Sequence, residues 1–186
     1  IEGVSIVLGA QEKFNILKHI QNRDESQGKI KVGHIKEVHE FVPSFSSGDR
    51  TRTFLKVQDG CNYFCAFCTI PLARGKSRSA NIADTLEQAK RAIEAGAKEI
   101  VLTGVNIGDF GTAHNERFFQ LSEQLDTLSG VERFRISSIE PNLLSEEIIS
   151  FVAQSKKFMP HFHIPLQSGD DEILRAMRSR YRTALY

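Results

Sequence analysis

From Arg52 onward the chain alternates short apolar runs with amphipathic stretches, and this alternation restricts the fold more than any other feature. Thr53–Val57 reads as a strand. Ile82, Leu86, Ala89 and Ile93 then fall on one helical stripe, with Asn81 placed as an N-cap and Gly96 as the residue after the helix. Glu99–Thr103 is the next strand, and Phe118, Leu121 and Leu125 stripe the next helix. Arg133–Ser137 is a third strand, followed by a helix striped by Leu144, Ile148, Ile149 and Val152. His161–Pro165 reads as a fourth strand and Asp170–Met177 as the start of a fourth helix. Parallel strands need crossover connections, so this order predicts an α/β fold with a parallel sheet and helices outside it. Four units do not close an eight-stranded barrel. With no fifth strand in view, the pattern predicts a partial (β/α) barrel, truncated, in a piece of a longer protein. Residues 1–48 read as a remnant of a preceding α/β domain plus a linker: an apolar run Val4–Leu8, a short helix Lys13–Ile20, a polar stretch Asn22–Gly33, and a linker Pro43–Gly48. The unit that follows is expected to span 49–186.

Composition narrows the partners. The 186 residues carry 24 Lys and Arg against 23 Asp and Glu, a net charge of +1, so nothing global draws the chain to nucleic acid or to a membrane. No apolar run is long enough for a membrane span, and the acidic start Ile1-Glu2-Gly3 does not read as a signal peptide. Charge is concentrated locally: between Arg50 and Ala80, six bases (Arg50, Arg52, Lys56, Arg74, Lys76, Arg78) face one acid, Asp59. That stretch is either a solvated face or a surface for phosphates.

In parallel α/β sheets, ligands sit at the carboxyl ends of the strands, and the unusual residues fall there each time. Gln58-Asp59-Gly60-Cys61 follows the first strand, Gly104-Val105-Asn106 the second, Ser137-Ser138-Ile139-Glu140 the third, and Gln167-Ser168-Gly169-Asp170 the fourth. The chain's three cysteines, Cys61, Cys65 and Cys68, lie within eight residues, too few and too clustered for a disulfide framework. Three readings are open. The spacing also fits one face of a helix, where cysteine acts as a small hydrophobe. Zinc is a second reading, with His163 as a fourth ligand, although structural zinc sites favour paired cysteines. Third, three thiolates on a loop suit an iron–sulfur cluster. A cubane has four irons, so one would remain open to a ligand bearing an amine and a carboxylate.

The run Cys61-Asn62-Tyr63-Phe64-Cys65-Ala66-Phe67-Cys68 resembles the signature of radical S-adenosylmethionine (SAM) enzymes. The flanks Phe54–Gly60 and Thr69-Ile70-Pro71-Leu72-Ala73-Arg74-Gly75-Lys76-Ser77-Arg78-Ser79, and the run His161–Asp171, resemble the methylthiotransferases within that group. Gly3–Lys13 resembles the tail of that family's N-terminal domain. Gln58-Asp59-Gly60 together with Leu102-Thr103-Gly104-Val105-Asn106-Ile107-Gly108 looks most like the branch acting on threonylcarbamoyladenosine in tRNA. The other branches act on isopentenyladenosine in tRNA and on an aspartate of a ribosomal protein. The resemblance implies a radical SAM core of the partial-barrel type, with a [4Fe–4S] cluster on Cys61, Cys65 and Cys68 whose unique iron binds SAM and whose reduction cleaves the sulfonium. It implies SAM contacts from Phe67, Gly104, Val105, Asn106, Glu140, Gln167, Ser168 and Arg74. It further implies a cytoplasmic enzyme, an electron donor such as flavodoxin or ferredoxin, and a tRNA substrate bound weakly by this segment. A second [4Fe–4S] cluster is expected only in the full-length protein, because no cysteine precedes Cys61. The segment is therefore expected to fall short of the whole methylthiolation reaction. Two rival readings are a non-catalytic iron–sulfur or zinc-binding module and a radical SAM enzyme acting on a small molecule.

Overall fold

A computed structural model describes residues 2–21, 30–46 and 52–186. In chain order the strands are β1 (Val7–Leu8), β2 (Ile30–Lys31), β3 (Ser44–Phe45), β4 (Arg52–Lys56), β5 (Gln58–Asp59), β6 (Arg78–Ser79), β7 (Glu99–Thr103) and β8 (Arg133–Ile136). The α-helices are α1 (Ile16–Gln21), α2 (Ile70–Arg74), α3 (Ile82–Glu94), α4 (Phe118–Asp126), α5 (Glu146–Gln154) and α6 (Asp171–Ala176). The main sheet has the order β3-β4-β7-β8. Strands β4, β7 and β8 run parallel, while β3 pairs antiparallel to β4, so the sheet is mixed. Two small ribbons accompany it, β1–β2 and β5–β6.

The period-2 alternation of strand side chains explains how this sheet is covered. Leu55, Leu102 and Ile136 stand in register, as do Thr53, Ile100 and Phe134. These rows face the helices and are buried, together with Ile82 and Ala89 of α3, Leu121 and Leu125 of α4, and Ile148 and Val152 of α5. Each fully buried Leu, Ile or Phe contributes roughly 1.5–3 kcal/mol. The alternate residues lie on the other face and are exposed or half-buried. There Arg52, Glu99 and Arg133 stand in register, and the Glu99 carboxylate takes Arg52 at 2.9 Å, Arg135 at 2.7 Å and Arg133 at 3.7 Å. All three crossover helices thus cover one side of the sheet, the arrangement of a singly wound rather than a doubly wound fold.

Several expectations hold. Glu99–Thr103 is a strand over those residues, and α3, α4 and α5 turn the residues expected of their stripes to the core, except that Leu86 and Ile93 are half-buried, Ile149 is exposed and Leu144 precedes α5. Gly96 follows the end of α3 with φ +97°, and the Asn81 side chain accepts from the Asp84 amide at 2.7 Å. Asn81→Ala should therefore cost about 1 kcal/mol, read as a lower urea midpoint with unchanged slope; an unchanged midpoint would deny the cap any role.

Two expectations need correction. His161–Pro165 is not a regular strand. The segment follows β8 only through the isolated bridges Phe134↔Phe158 and Ser138↔His163. Pro160 and Pro165 bracket it, and a residue without an N–H cannot sustain a ladder. Residues 44–45 of the expected linker are an edge strand: Ser44 pairs with Lys56, and Phe45 with Leu55. The end of that linker, Ser47 and Gly48, the expected boundary at 48/49, and most of the polar stretch Asn22–Gly33 lie outside the described residues.

Candidate functional site

The cysteine loop leaves the sheet at the carboxyl end of β4 and returns to it through the β5–β6 ribbon, in which Gln58 pairs with Ser79 and Asp59 with Arg78. Residues 60–77 are thus an excursion closed at its base. Gly60 begins it with φ +72°, and a Cβ there would stand 2.1 Å from the Lys76 carbonyl oxygen. The Cys61 amide then donates to the Gly75 carbonyl at 3.1 Å. Gly60→Ala should destabilise the protein by roughly 2–4 kcal/mol, since left-handed strain alone accounts for about 1–3 and the clash adds to it. Urea denaturation reads this directly, and a midpoint within error of wild type would mean that the loop base is not built this way.

The cysteines lie in irregular backbone ahead of α2, so the reading of one helical face is overturned. All three are half-buried free thiols. Within the loop the Cys68 amide donates to the Cys65 carbonyl, and the Tyr63 amide to Cys61 Sγ at 3.3 Å. Burial pushes the Cys61 and Cys65 thiols above their ordinary range; the Cys65 and Cys68 thiols add to this at Cys61, and the Glu140 carboxylate and Cys68 at Cys65. The loop is pinned from outside as well. Its Ala66 amide donates to the Met177 carbonyl at the end of α6, Asn142 donates to the Tyr63 hydroxyl at 2.6 Å, and the Arg180 guanidinium lies 5.2 Å from the Tyr63 ring centroid. Arg180 thereby reaches the site from the segment that follows α6.

A buried charge centre sits beneath the loop. Asp59 is 2% exposed and pairs with Arg78 at 3.0 Å, Arg74 at 3.3 Å, Lys13 at 3.7 Å and Lys56 at 3.9 Å. Burial alone would raise its carboxyl. Arg78 chiefly, then the Gly60 amide and the two lysines, outweigh this and hold it below the usual carboxylate range. Arg78 is itself only 7% exposed and also donates to the carbonyls of Glu40, Arg74 and Lys76. Arg78 is therefore not a rim base, and most bases of this stretch are engaged in ion pairs, Arg52 and Arg74 at the surface. Arg52 goes to Glu99, three others go to Asp59, and Arg50 lies outside the described residues. Lys76 is exposed, with no ion pair among the described residues.

The other rim loops converge on the same end of the sheet. The Val105 and Asn106 amides both donate to Gln58 Oε1 at 2.9 Å. Asn106 is 3% exposed; its Oδ1 accepts from the Glu140 amide at 3.2 Å, while its Nδ2 is buried without a partner. Glu140 is partly buried with its carboxyl pushed up by that burial, and it makes no ion pair with Arg74, which goes to Asp59. Gln167 is exposed with φ +62°. Ser168 accepts from the Asp170 amide, and Asp170 itself caps α6. Phe67 is 52% exposed on the loop, so it is not a core aromatic. Sequence reasoning placed Gln58 at the rim but gave it no role, and gave none to Tyr63 or Arg180; a polar Gln at the end of an apolar strand was the one signal available.

Among the described residues, no three His, Cys, Asp or Glu side chains converge to hold a single metal ion. Zinc needs all its ligands about 2.0–2.3 Å from one centre, and His163 is exposed, so the zinc reading finds no preformed site. Thiolates that each bind a different iron of one cluster stand apart, so an open trio of half-buried thiols suits that donor set.

Residues 55–185 match the model of the radical SAM superfamily. The chain is 43% identical to the threonylcarbamoyladenosine tRNA methylthiotransferase MtaB of Bacillus subtilis, a match covering 97% of this chain and 41% of that protein. It is 35% identical to the MtaB of Aquifex aeolicus, over 100% and 46%, and 32% identical to the tRNA-2-methylthio-N(6)-dimethylallyladenosine synthase of Bifidobacterium longum subsp. infantis, over 98% and 38%. The chain spans less than half the length of these relatives. Among solved structures it resembles the radical SAM methyltransferase TsrM of Kitasatospora setae with cobalamin and a [4Fe–4S] cluster bound, with a TM-score of 0.57 at 15% identity over 71% of this chain and 26% of that one. The match to the superfamily model spans the whole run from β4 to the last turn after α6, cysteine loop included, and on it the chain belongs to the radical SAM superfamily.

Proposed function

We propose that this chain is the radical SAM core of a tRNA methylthiotransferase that adds a methylthio group to threonylcarbamoyladenosine next to the anticodon. The observation that carries this is the three-thiol loop closed by the β5–β6 ribbon and tied through Gln58 to the Gly104–Asn106 loop. The MtaB relatives support the choice of nucleoside. Helices on one sheet face, beside parallel β4, β7 and β8, support a partial barrel truncated after its fourth unit, and residues 1–48 and 49–186 are taken as a domain remnant and the core.

In this reading Cys61, Cys65 and Cys68 hold a [4Fe–4S] cluster, which when bound supplies the electron that cleaves SAM. The unpartnered Asn106 Nδ2 and the backbone beside Gly104 receive the polar end of SAM, with Glu140 next to them. Exposed Phe67, with Gln167 and Ser168, covers the nucleoside part. Arg74 holds a carboxylate or phosphate at the rim while anchored to Asp59. The electron comes from a flavodoxin- or ferredoxin-like donor, and the setting is cytoplasmic; no helix among the described residues is long and apolar enough to cross a membrane. The second cluster and full tRNA affinity belong to the longer protein.

The test is anaerobic reconstitution with iron and sulfide, followed by electron paramagnetic resonance (EPR) of the reduced protein with and without SAM. A cubane signal that changes on adding SAM is expected; one indifferent to SAM would leave a non-catalytic module. In the full-length protein, tRNA bearing threonylcarbamoyladenosine should gain the methylthio group, and tRNA bearing isopentenyladenosine should not. Because Lys76 is the exposed base of the 50–80 stretch with no ion pair among the described residues, Lys76→Ala should lower the salt slope of tRNA binding by about 0.7–0.9, the value of one phosphate contact. An unchanged slope would remove Lys76 from the interface.

A further inference from the structure

Main-chain bonding between the first two parallel strands stops at the Val57 amide, which donates to the Thr103 carbonyl at 2.9 Å. Beyond it, among the described residues, no main-chain bond joins the cysteine loop to the loop after β7. The Gln58 side chain takes over. It is 1% exposed, and its amide group bonds to five partners. Nε2 donates to the Gly60 carbonyl at 2.8 Å, the Asp59 carbonyl at 3.2 Å and Ser77 Oγ at 3.0 Å. Oε1 accepts from the Val105 and Asn106 amides. Both ends of the cysteine loop and the start of the second rim loop thus close on one primary amide. The loop after β7 is shaped to fit it: a Cβ on Gly104 would stand 2.9 Å from Gln58 Oε1 and 3.1 Å from Gln58 Cβ.

No other side chain of this size meets those demands. A glutamate would turn an oxygen toward two carbonyls. A methionine or leucine would leave two amides and two carbonyls buried without partners, and such groups are costly.

We propose that Gln58 is a positioning residue that sets the separation and orientation of the cysteine loop relative to the Gly104–Asn106 loop, and so fixes where SAM meets the cluster. This rests on the reading of the site given above. Gln58 touches neither thiols nor cofactor; it acts through the Val105 and Asn106 amides and the Gly60 carbonyl.

The experiment uses Gln58→Ala and Gln58→Glu in the full chain, reconstituted anaerobically. Iron content should match wild type, while SAM affinity falls about tenfold or more, the equivalent of one or two hydrogen bonds, and the SAM-induced EPR change moves to higher SAM concentration. In the metal-free variants the Val105 and Asn106 amides should exchange about tenfold faster, with α3 and α4 unaffected. Unchanged SAM affinity in either variant would overturn the proposal. So would loss of iron in parallel with SAM binding, which would make Gln58 a support of the cysteine loop alone. A wild-type cluster indifferent to SAM would instead sink the site reading, and this inference with it. Should neither variant fold, wild-type exchange decides: SAM should slow exchange in both loops together, and protection of one loop alone overturns the proposal.

Discussion

Serine in place of Cys65 should leave a folded protein that no longer takes up iron. Cys65 is half-buried in irregular backbone and belongs to no hydrophobic cluster, so its replacement should change stability by no more than about 0.5 kcal/mol, as at ordinary surface positions. Its chemistry is a different matter. A serine oxygen is a hard ligand that stays protonated near neutrality, whereas iron–sulfur clusters are held by thiolates. The metal-free thiols at positions 61 and 65 are also biased toward protonation, chiefly by burial, so cluster assembly must drive the protons off, and two remaining thiols supply too little binding energy. Reconstituted iron should fall from about four per chain to near background, with SAM cleavage lost. Iron and sulfide analysis beside a denaturation curve tests both halves. Full iron content with a SAM-sensitive EPR signal in the variant would falsify the ligand assignment.

Arg78→Ala should do the reverse and strike the fold first. Its guanidinium makes four hydrogen bonds, one to Asp59 and three to main-chain carbonyls, in a site closed to solvent. Removing it leaves a buried carboxylate with only the longer contacts of Arg74, Lys13 and Lys56. Breaking one partner out of a buried ion pair typically costs about 3–5 kcal/mol, which for a domain of this size lowers the melting temperature by roughly 6–20 °C. Arg78→Lys should recover only part of this, because a single ammonium cannot occupy four sites arranged around a planar fork. The measurement is urea denaturation of the metal-free chain. A loss under about 1 kcal/mol would mean that Asp59 is not held as described.

These two residues show where sequence reasoning reached and where it stopped. The cysteines were legible because metal ligation depends on residue type and close spacing, both local properties. Arg78 reads as one of several bases facing solvent or phosphates because a charge in a sequence carries no direction. Its partner lies 19 positions away, and only the β5–β6 pairing turns the side chain inward. The same limit hid the role of Gln58, whose two amide donors are 47 and 48 positions distant. The fourth strand failed for a more local reason: the apolar run His161–Pro165 suggested a strand, but Pro160 and Pro165 removed the donors a ladder needs. Strand β3 was hidden by its serine- and proline-rich setting, although pairing with an exposed edge asks little of composition.

By itself the sequence determined the strand–helix alternation from β4 through α5, the cap of α3 and the placing of unusual residues at the strand ends. Each of these follows from propensity or spacing within a few residues. Only the tertiary structure decided which charges are spent in pairing, which side of the sheet the helices cover, and how two loops far apart in sequence are joined through one buried amide. Those outcomes depend on desolvation and on bonds closed across long stretches of chain, and no local pattern encodes them.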